Sequence, residues 1–360
     1  MSPQRQAGFW FIFVIGLGLM VFLLRDMLLP FVVAMAVAYL TDPMADWLEK
    51  MRLSRNQATI IITVAFVIVF LLGLLILVPL VVRQAGELLI QLPEYIERAT
   101  RLLQPFVLNL LEAASDRGVD VSRDDGAQAL KDYASQAVEF FTKLAGNVVR
   151  GGAALANFLA LLVITPIVTF YLLLEWDRLV ALINGWLPKR YGPTIRQLVS
   201  EIDRTLAGFV RGQGTVCLVL MVYYATALSF SGLSFGFLIG ILSGALSFIP
   251  FVGAIFGAIA SIGLALVQFW PDDMARVGIV IGIYVLGQVA EGYFLTPKLV
   301  GDRIGLHPVW VMFGVLAGGV LFGFVGMLLA LPVSAVIGVL ARFGLNQYLQ
   351  SRFFDPSNPE

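Results

Sequence analysis

Residues 287–308 read GQVAEGYFLTPKLVGDRIGLHP and join an apolar segment to a polar, basic one. The apolar run 277–296 contains a carboxylate, Glu291, and an amide, Gln288, one helical turn before it. Thr296-Pro297 is predicted to end the helix, because proline lacks the N–H that would continue the hydrogen-bond ladder. The role of a carboxylate in such a run depends on the solvent that surrounds the chain.

The composition indicates that this solvent is partly lipid. The chain has 360 residues and a mean hydropathy of +0.88, and 59% of its residues are hydrophobic while 13% are charged. A soluble domain carries roughly 25% charged residues. Because lipid offers no partner to open backbone groups, helices are the expected element. We therefore predict an all-α, polytopic membrane helical bundle.

Several classes of protein are excluded by the same counts. The formal net charge is zero, so no global field favours a nucleic-acid partner. A single cysteine, Cys217, excludes an intrachain disulfide, and with a single histidine, His307, it excludes a His/Cys metal cluster. No P-loop, HExxH, GxSxG or strand-linked GxGxxG motif is present. We predict that the chain is not an enzyme and uses no metal or cofactor.

Apolar segments predict about eight membrane helices, since a span needs about 20 residues. A further tract, 308–341, is too long for one comfortable span and is rich in glycine. We predict that this tract forms a hairpin of two short helices, which either spans the membrane or re-enters it. The predicted spans are 9–24, 27–41, 58–82, 153–175, 206–230, 234–250, 252–270 and 277–296.

Basic residues alternate between the connections and predict the orientation. They gather in 42–57, 176–205 and 297–307, so these loops and both termini are expected on the cytoplasmic side of the membrane. The predicted division is 1–82, N-terminal membrane helices; 83–152, an extracytoplasmic helical hairpin; 153–175, a membrane helix; 176–205, a cytoplasmic helical insert; 206–341, the C-terminal membrane core; and 342–360, a cytoplasmic tail.

Glycines recur at four-residue spacing within the apolar segments, which is typical of helices that pack closely in lipid. The alternative is that these faces slide or line a narrow path. Pro250 and Gly253 lie in SFIPFVG, residues 247–253, which is a candidate for a broken helix or for a simple turn between helices. The spaced glycines are Gly236, Gly240, Gly244, Gly253, Gly257, Gly278, Gly282, Gly314, Gly318, Gly319 and Gly323.

Glu291 is the main charged candidate for a functional site. An acid at mid-membrane costs about 2.5–3.5 kcal/mol, so it needs a partner, a proton or water. It either handles an ion or substrate or pairs structurally with Lys298 or Arg303. His307 is interpreted as an interfacial, structural residue. The candidate pathway residues are Glu291, Gln288, Pro250, Gly253, Pro297, Lys298, Asp302, Arg303, His307 and Pro308.

Residues 288–340 resemble the signature of the AI-2E family of transporters. The shared features are the acid at a helix end, Pro297-Lys298 followed by Val300-Gly301, Gly305-Leu306-His307-Pro308, and a glycine-rich tract that closes at Pro332. AYLTDP at 38–43 and PFVGA at 250–254 extend the resemblance over essentially the whole chain.

The resemblance implies an inner-membrane protein of about eight helices that forms homo-oligomers. Some members are associated with export of autoinducer-2 and others with sodium/proton or related cation antiport. Three hypotheses follow for this chain: a secondary transporter or exporter of a small solute, a Na⁺(K⁺)/H⁺ antiporter that uses Glu291, and a membrane scaffold or regulator that acts through the outer hairpin. The expected partners are the lipid bilayer and a small solute, a monovalent cation or a proton.

Overall fold

The fold was described from a computed structural model, and the prediction of an all-α chain is confirmed. The described part of the chain is helical and contains no strand. Its helices are joined mostly by short turns, as expected for neighbours in a bundle. The described residues are 27–115, 152–189, 191–300 and 307–350, with parts of 12–24 and single positions at 128, 132, 135, 136, 139 and 354.

Eight helices of the described part are numbered here in chain order. Six helical stretches among them are long and apolar enough to cross a membrane. Residues Glu291–Val300 prolong the seventh helix as a wider, π-helical segment. The helices are α1 (Leu28–Lys50), α2 (Arg55–Ser115), α3 (Gly152–Trp186), α4 (Gly192–Phe230), α5 (Gly236–Leu246), α6 (Val252–Phe269), α7 (Met274–Ala290) and α8 (Pro308–Leu349).

Helix α2 is longer than the sequence predicted. The predicted span 58–82 and the start of the predicted outer hairpin form one helix of 61 residues, about 90 Å long. Three prolines lie inside it, at intervals wide enough for complete turns to remain between them. The helix therefore crosses the predicted domain boundary at 82/83 without a break. The second helix of the predicted hairpin, in 117–150, lies outside the described residues apart from single positions.

Helix α1 also continues past its predicted end, so the predicted 42–57 loop is wrong. Only residues 51–54 connect α1 to α2. Asp42, Asp46 and Glu49 follow one another on a face of α1, and the Arg55 guanidinium binds all three carboxylates at 3.0, 3.0 and 3.5 Å. Because Arg55 Nε also donates to the Leu173 carbonyl oxygen at 3.0 Å, one arginine joins α1, α2 and α3.

Helices α1 and α3 run parallel and form an N-terminal unit with α2. The Thr165 hydroxyl donates to the Pro30 carbonyl oxygen at 3.4 Å, and the Thr169 hydroxyl donates to that of Ala34 at 3.2 Å. Both threonines are buried. The constant offset of 135 residues between partners shows that the two helices advance in the same direction.

Helix α4 is the centre of a second unit, α4 to α8. Its buried residues Phe209, Leu220, Tyr224 and Leu228 form one core cluster with side chains of α5, α6 and α7. Outside this core, large apolar side chains such as that of Ile259 are exposed. An apolar exterior is expected where the surrounding solvent is lipid.

Glycines allow the backbones of α4, α5 and α6 to approach one another closely. A Cβ added to Gly240 would collide with the backbone of Ala225, and one added to Gly244 would collide with that of Met221. Gly253 packs in the same way against the backbone of Ser247. The prediction of close packing at these glycines is confirmed. No described residue lies within 4 Å of the Cβ positions of Gly278 and Gly282, so the packing predicted there is not seen within the described chain.

The predicted span 234–250 is corrected by the structure. Helix α5 has 11 residues and is about 16 Å long, close to half of the hydrocarbon thickness. Residues 247–251 then turn the chain into α6, with Phe251 at a φ of 67°. Pro250 therefore lies in a turn between two helices, and the broken-helix hypothesis for this segment is wrong.

The predicted C-terminal hairpin is confirmed. Helix α8 is interrupted at Gly323, whose φ of 59° and ψ of −139° are not helical. The Gly318 carbonyl lies against Gly326, and Gly314 lies against Ser334, so the two halves of α8 pack antiparallel. Glycine is required at Gly323 because a positive φ is strained for other residues.

The two ends of the bundle differ in their residues. We call the end that carries Asp42, Arg55 and Arg211 the Arg55 end, and the opposite end the Trp270 end, after the residue between α6 and α7. Helix α2 begins at the Arg55 end, and its Gln84 accepts a hydrogen bond from the Leu238 backbone N–H near the Trp270 end at 3.1 Å.

Glycine packing predicts a difference between two single substitutions. Gly240→Ala should destabilise the bundle by roughly 1–3 kcal/mol, because its methyl group meets rigid backbone of α4. Gly282→Ala should leave stability unchanged or raise it by up to about 1 kcal/mol, since alanine is the better helix former. The apparent Tm of the detergent-purified proteins measures both changes, and equal Tm values for the two variants would contradict the packing assignment.

Candidate functional site

Three polar side chains form a stripe on the apolar helix α7 and its extension. Tyr284, Gln288 and Glu291 follow one another at spacings of four and three residues, which places them on one face. Glu291 and Gln288 are half-buried, and Tyr284 is buried. This face packs against α4, where Tyr224 is 1% exposed.

A chain of hydrogen bonds connects the stripe to α4. Gln288 Nε2 donates to Glu291 Oε2 at 3.0 Å and lies 3.2 Å from the Tyr224 hydroxyl oxygen. The rings of Tyr224 and Tyr284 stack with their centroids 5.4 Å apart and an angle of 21° between their planes. We call Tyr224, Tyr284, Gln288 and Glu291 the Glu291 group.

Neighbouring contacts hold the aromatic side chains of this group in place. The Tyr284 hydroxyl donates to the Ala254 carbonyl oxygen on α6. The Tyr223 hydroxyl donates to the Ile283 carbonyl oxygen on α7 at 2.9 Å. Gly287 leaves the space that the Tyr224 ring occupies, because a Cβ there would collide with the phenol. The group is therefore fixed by α4, α6 and α7 together.

The chain after Glu291 differs from the prediction. Pro297 does not end the helix, which continues in π-helical form to Val300, so Lys298 is helical too. A π-helical turn is wider than an α-helical one and is frequent at functional sites. Gly212 of α4 packs directly on the Leu299 backbone and supports the segment. Glu291 is therefore followed by nine further helical residues, where the sequence predicted an end at Pro297.

Glu291 has an amide partner and lacks a basic partner within the described chain. Its carboxylate is desolvated by the surrounding helices, and Gln288 supplies its hydrogen bond. Lys298 is exposed and forms no ion pair with it among the described residues. The predicted pairing with Lys298 is therefore wrong, and Arg303 lies outside the described residues, as does Asp302.

Pro250 and Gly253 lie near the same part of α4. The Gln213 side chain donates to the Ser247 carbonyl oxygen at 2.7 Å, in the turn that contains Pro250. The preceding residue, Gly212, contacts the π-helical segment. Two successive residues of α4 thus hold the turn and the segment, although neither Pro250 nor Gly253 belongs to the Glu291 group.

His307 and Pro308 begin helix α8. His307 Nδ1 accepts a hydrogen bond from the Val309 backbone N–H at 3.3 Å, and Pro308 is the first helical residue. Both positions are typical of a helix start. Among the described residues, no group of three His, Cys, Asp or Glu side chains is placed to bind a metal ion.

A second polar group, which sequence reasoning missed, joins α1 to α4 at the Arg55 end. The Tyr39 hydroxyl donates to Asp203 Oδ1 at 2.9 Å. Arg211 Nε donates to the Tyr39 carbonyl oxygen at 2.7 Å, and the Arg211 guanidinium lies 3.6 Å from Asp42 Oδ2. A cavity of about 80 Å³ adjoins them, with Trp176 in its wall.

Sequence reasoning also missed the two tyrosines of the Glu291 group, Tyr224 and Tyr284. Tyr284 could have been found from its spacing of seven residues to Glu291, which repeats a helical face. Tyr224 and Gly287 carry no such signal, because their importance lies in a contact between helices that are 60 residues apart.

Comparison with known proteins identifies the chain's relatives. The family described as AI-2E family transporter matches residues 10–346. YrrI of Bacillus subtilis (strain 168), named as a candidate transport protein, is 27% identical over 88% of this chain and 86% of its own. PerM of Escherichia coli (strain K12), named as a candidate permease, is 27% identical over 93% and 92%.

A third relative carries a substrate in its name. The AI-2 transport protein TqsA of Escherichia coli (strain K12) is 24% identical over 91% of this chain and 90% of its own length. The family match spans nearly the full chain and agrees with the apolar helices of the fold. The chain is a multi-pass membrane protein that belongs to the AI-2E transporter family.

Proposed function

We propose that this protein is a secondary transporter that moves a small solute across the cytoplasmic membrane of a bacterium, with the Glu291 group on the solute's path. The family is one of transport proteins. The direction we propose is outward, and the name of one relative, the AI-2 transport protein TqsA, points to a substrate. Autoinducer-2 is accordingly the first solute to test.

The observation that carries this proposal is a desolvated carboxylate without a basic partner among the described residues. Glu291 receives a hydrogen bond from Gln288 and is surrounded by apolar helices. Such an acid in a membrane is costly unless it serves an ion or substrate path. The Tyr224 hydroxyl and the Gln288 amide beside it add donors and acceptors that a polar solute could use.

The same observation favours a second candidate, Na⁺(K⁺)/H⁺ antiport. A carboxylate that lacks a fixed countercharge can exchange a proton for a monovalent cation, whereas an acid held by arginine or lysine cannot do so without breaking the pair. Under this hypothesis Glu291 carries the charge.

The remaining predictions are part of the proposal. The proposed orientation has both termini and the Arg55 end in the cytoplasm, and it is supported by the basic residues that gather in the connections at that end. The protein is proposed to form homo-oligomers. The third hypothesis, a scaffold that acts through residues 83–152, predicts that the intact protein carries no solute at all, which the experiment below tests.

Substitution of Glu291→Gln tests the role of the acid. Glutamine keeps an oxygen for the Gln288 amide, so the bundle should fold, but it can neither titrate nor carry charge. We expect at least about a tenfold loss of flux, since removal of an essential charged group costs more than 1.4 kcal/mol. Proteoliposomes loaded with autoinducer-2 measure solute flux, and an internal pH dye with Na⁺ or K⁺ gradients measures antiport.

The matched control for this experiment is Asp272→Asn, which removes an exposed carboxylate near the Trp270 end. Its flux should equal that of the unchanged protein. Solute flux without a cation-dependent pH change supports the transporter hypothesis, and the reverse supports antiport. Flux that survives Glu291→Gln removes the acid from the mechanism, and no flux of either kind in the intact protein favours the scaffold hypothesis.

Substitution of Gly287→Ala tests whether the arrangement of the group matters. The added methyl group meets the Tyr224 ring and displaces it from Gln288, so flux should fall several-fold. Gly278→Ala, on the same helix but facing open space, is the control and should behave like the unchanged protein. Equal flux in the two glycine variants would show that the position of Tyr224 is unimportant for transport.

A further inference from the structure

Polar contacts join the N-terminal unit, α1–α3, to the unit built on α4 at the Arg55 end. Tyr39 binds Asp203, and Arg211 binds both the Tyr39 carbonyl oxygen and Asp42. Next to them, Leu40 of α1 packs on Gly214 of α4, and a Cβ added to this glycine would lie 3.3 Å from the Leu40 side chain. We call Tyr39, Asp42, Asp203 and Arg211 the α1–α4 clasp.

These contacts are partly open to water. The side chains of Arg211 and Asp42 are 40% and 39% exposed, and the bond between Tyr39 and Asp203 is exposed. Water competes for such groups, so each bond contributes less than a buried one. Asp42 also keeps Arg55 as a partner when Arg211 leaves, so the clasp can open without stranding a buried charge. Contacts of this kind suit a junction that opens and closes.

The clasp and the Glu291 group lie at successive levels of α4, with Arg211 in the first and Tyr224 in the second. Cys217 follows Arg211 by six residues on α4, about 9 Å deeper along the helix axis. It is 7% exposed and precedes Tyr224 by seven residues, two helical turns along the same face of α4. The cavity of about 80 Å³ beside the clasp is bounded by α1, α3 and α4 and thus lies where these helices would separate.

We propose that the α1–α4 clasp is a gate, closed in this structure, and that separation of α1 from α4 at the clasp admits water and solute to the Glu291 group from the Arg55 end. This proposal rests on the proposed transport function and adds the place of entry. The gate opens when Tyr39 and Arg211 release their partners, and it closes when they bind again.

The buried Cys217 supplies a reporter that does not depend on transport. In the full-length protein in proteoliposomes, a membrane-impermeant maleimide should label Cys217 slowly while the clasp is closed. Combining Tyr39→Phe with Arg211→Gln removes the bond to Asp203 and both contacts of the guanidinium, and labelling should become at least about tenfold faster. The single substitutions should give intermediate rates.

The matched control is Thr169→Val. It removes a buried hydrogen bond from α3 to α1 without touching α4, so the labelling rate of Cys217 should not change. An equal rise in this control would assign the labelling to general loosening of the bundle and overturn the gate. Unchanged labelling in the clasp variants would overturn it as well.

A second measurement does not require the clasp variants to be stable. The variant carries Leu40→Cys and Gly214→Cys together with Cys217→Ser. The two new cysteines can be joined by a short, reductant-cleavable bifunctional thiol reagent, because Leu40 and Gly214 are in contact. Joining α1 to α4 should stop flux, and reduction should restore it. Flux that continues after complete joining overturns the gate.

The two proposals fail in different ways. If the intact protein carries neither autoinducer-2 nor cations, yet clasp variants label faster and Thr169→Val does not, then the gate stands and the transport function falls. If flux depends on Glu291 but the joined protein still carries solute, then the transport function stands and the gate falls.

Discussion

In lipid, apolar side chains gain nothing by leaving their solvent, so helices must associate through short-range packing and hydrogen bonds. Helix α4 meets this constraint because glycines let neighbouring helices pack closely against it. Gly240 of α5 packs on the Ala225 backbone, and Gly287 of α7 packs on the Tyr224 ring. Gly212, which belongs to α4 itself, packs on the Leu299 backbone. The position of every member of the Glu291 group follows from these approaches, because a wider spacing would separate Gln288 from Tyr224.

The Glu291 group and the polar residues at the Arg55 end differ in how deeply they are buried. Around Glu291 the partners are neutral amides and phenols, held among three helices. At the Arg55 end the partners are mostly charged and half-exposed. Burial at the first place leaves the carboxylate's charge uncompensated, whereas water and two arginines compensate the carboxylates at the second. The two places therefore suit different tasks, one for holding a solute or proton and one for reversible contact.

Hydropathy and glycine spacing predicted most helices and the hairpin at Gly323, because both signals are local. Helix ends were predicted less well. The predicted ends at residue 41 and at Pro297 are both too early. Arg55 binds carboxylates of α1 beyond the first, and α4 supports a π-helical segment around the second. Within the candidate site, Glu291 and Gln288 were visible as polar residues in an apolar run. Tyr224 was not, since its role depends on helix α7, which is distant in sequence.

The length of α2 has a mechanical consequence. Helix α2 is bound to α1 and α3 through Arg55 and to α5 through Gln84 and Tyr95, so its 20 residues after Tyr95 form an arm about 30 Å long. A tilt of this arm by about 10° displaces Ser115 by about 5 Å, which is more than the length of a hydrogen bond. Small changes of direction where α2 leaves α5 are thereby enlarged at Ser115, the last residue of the helix.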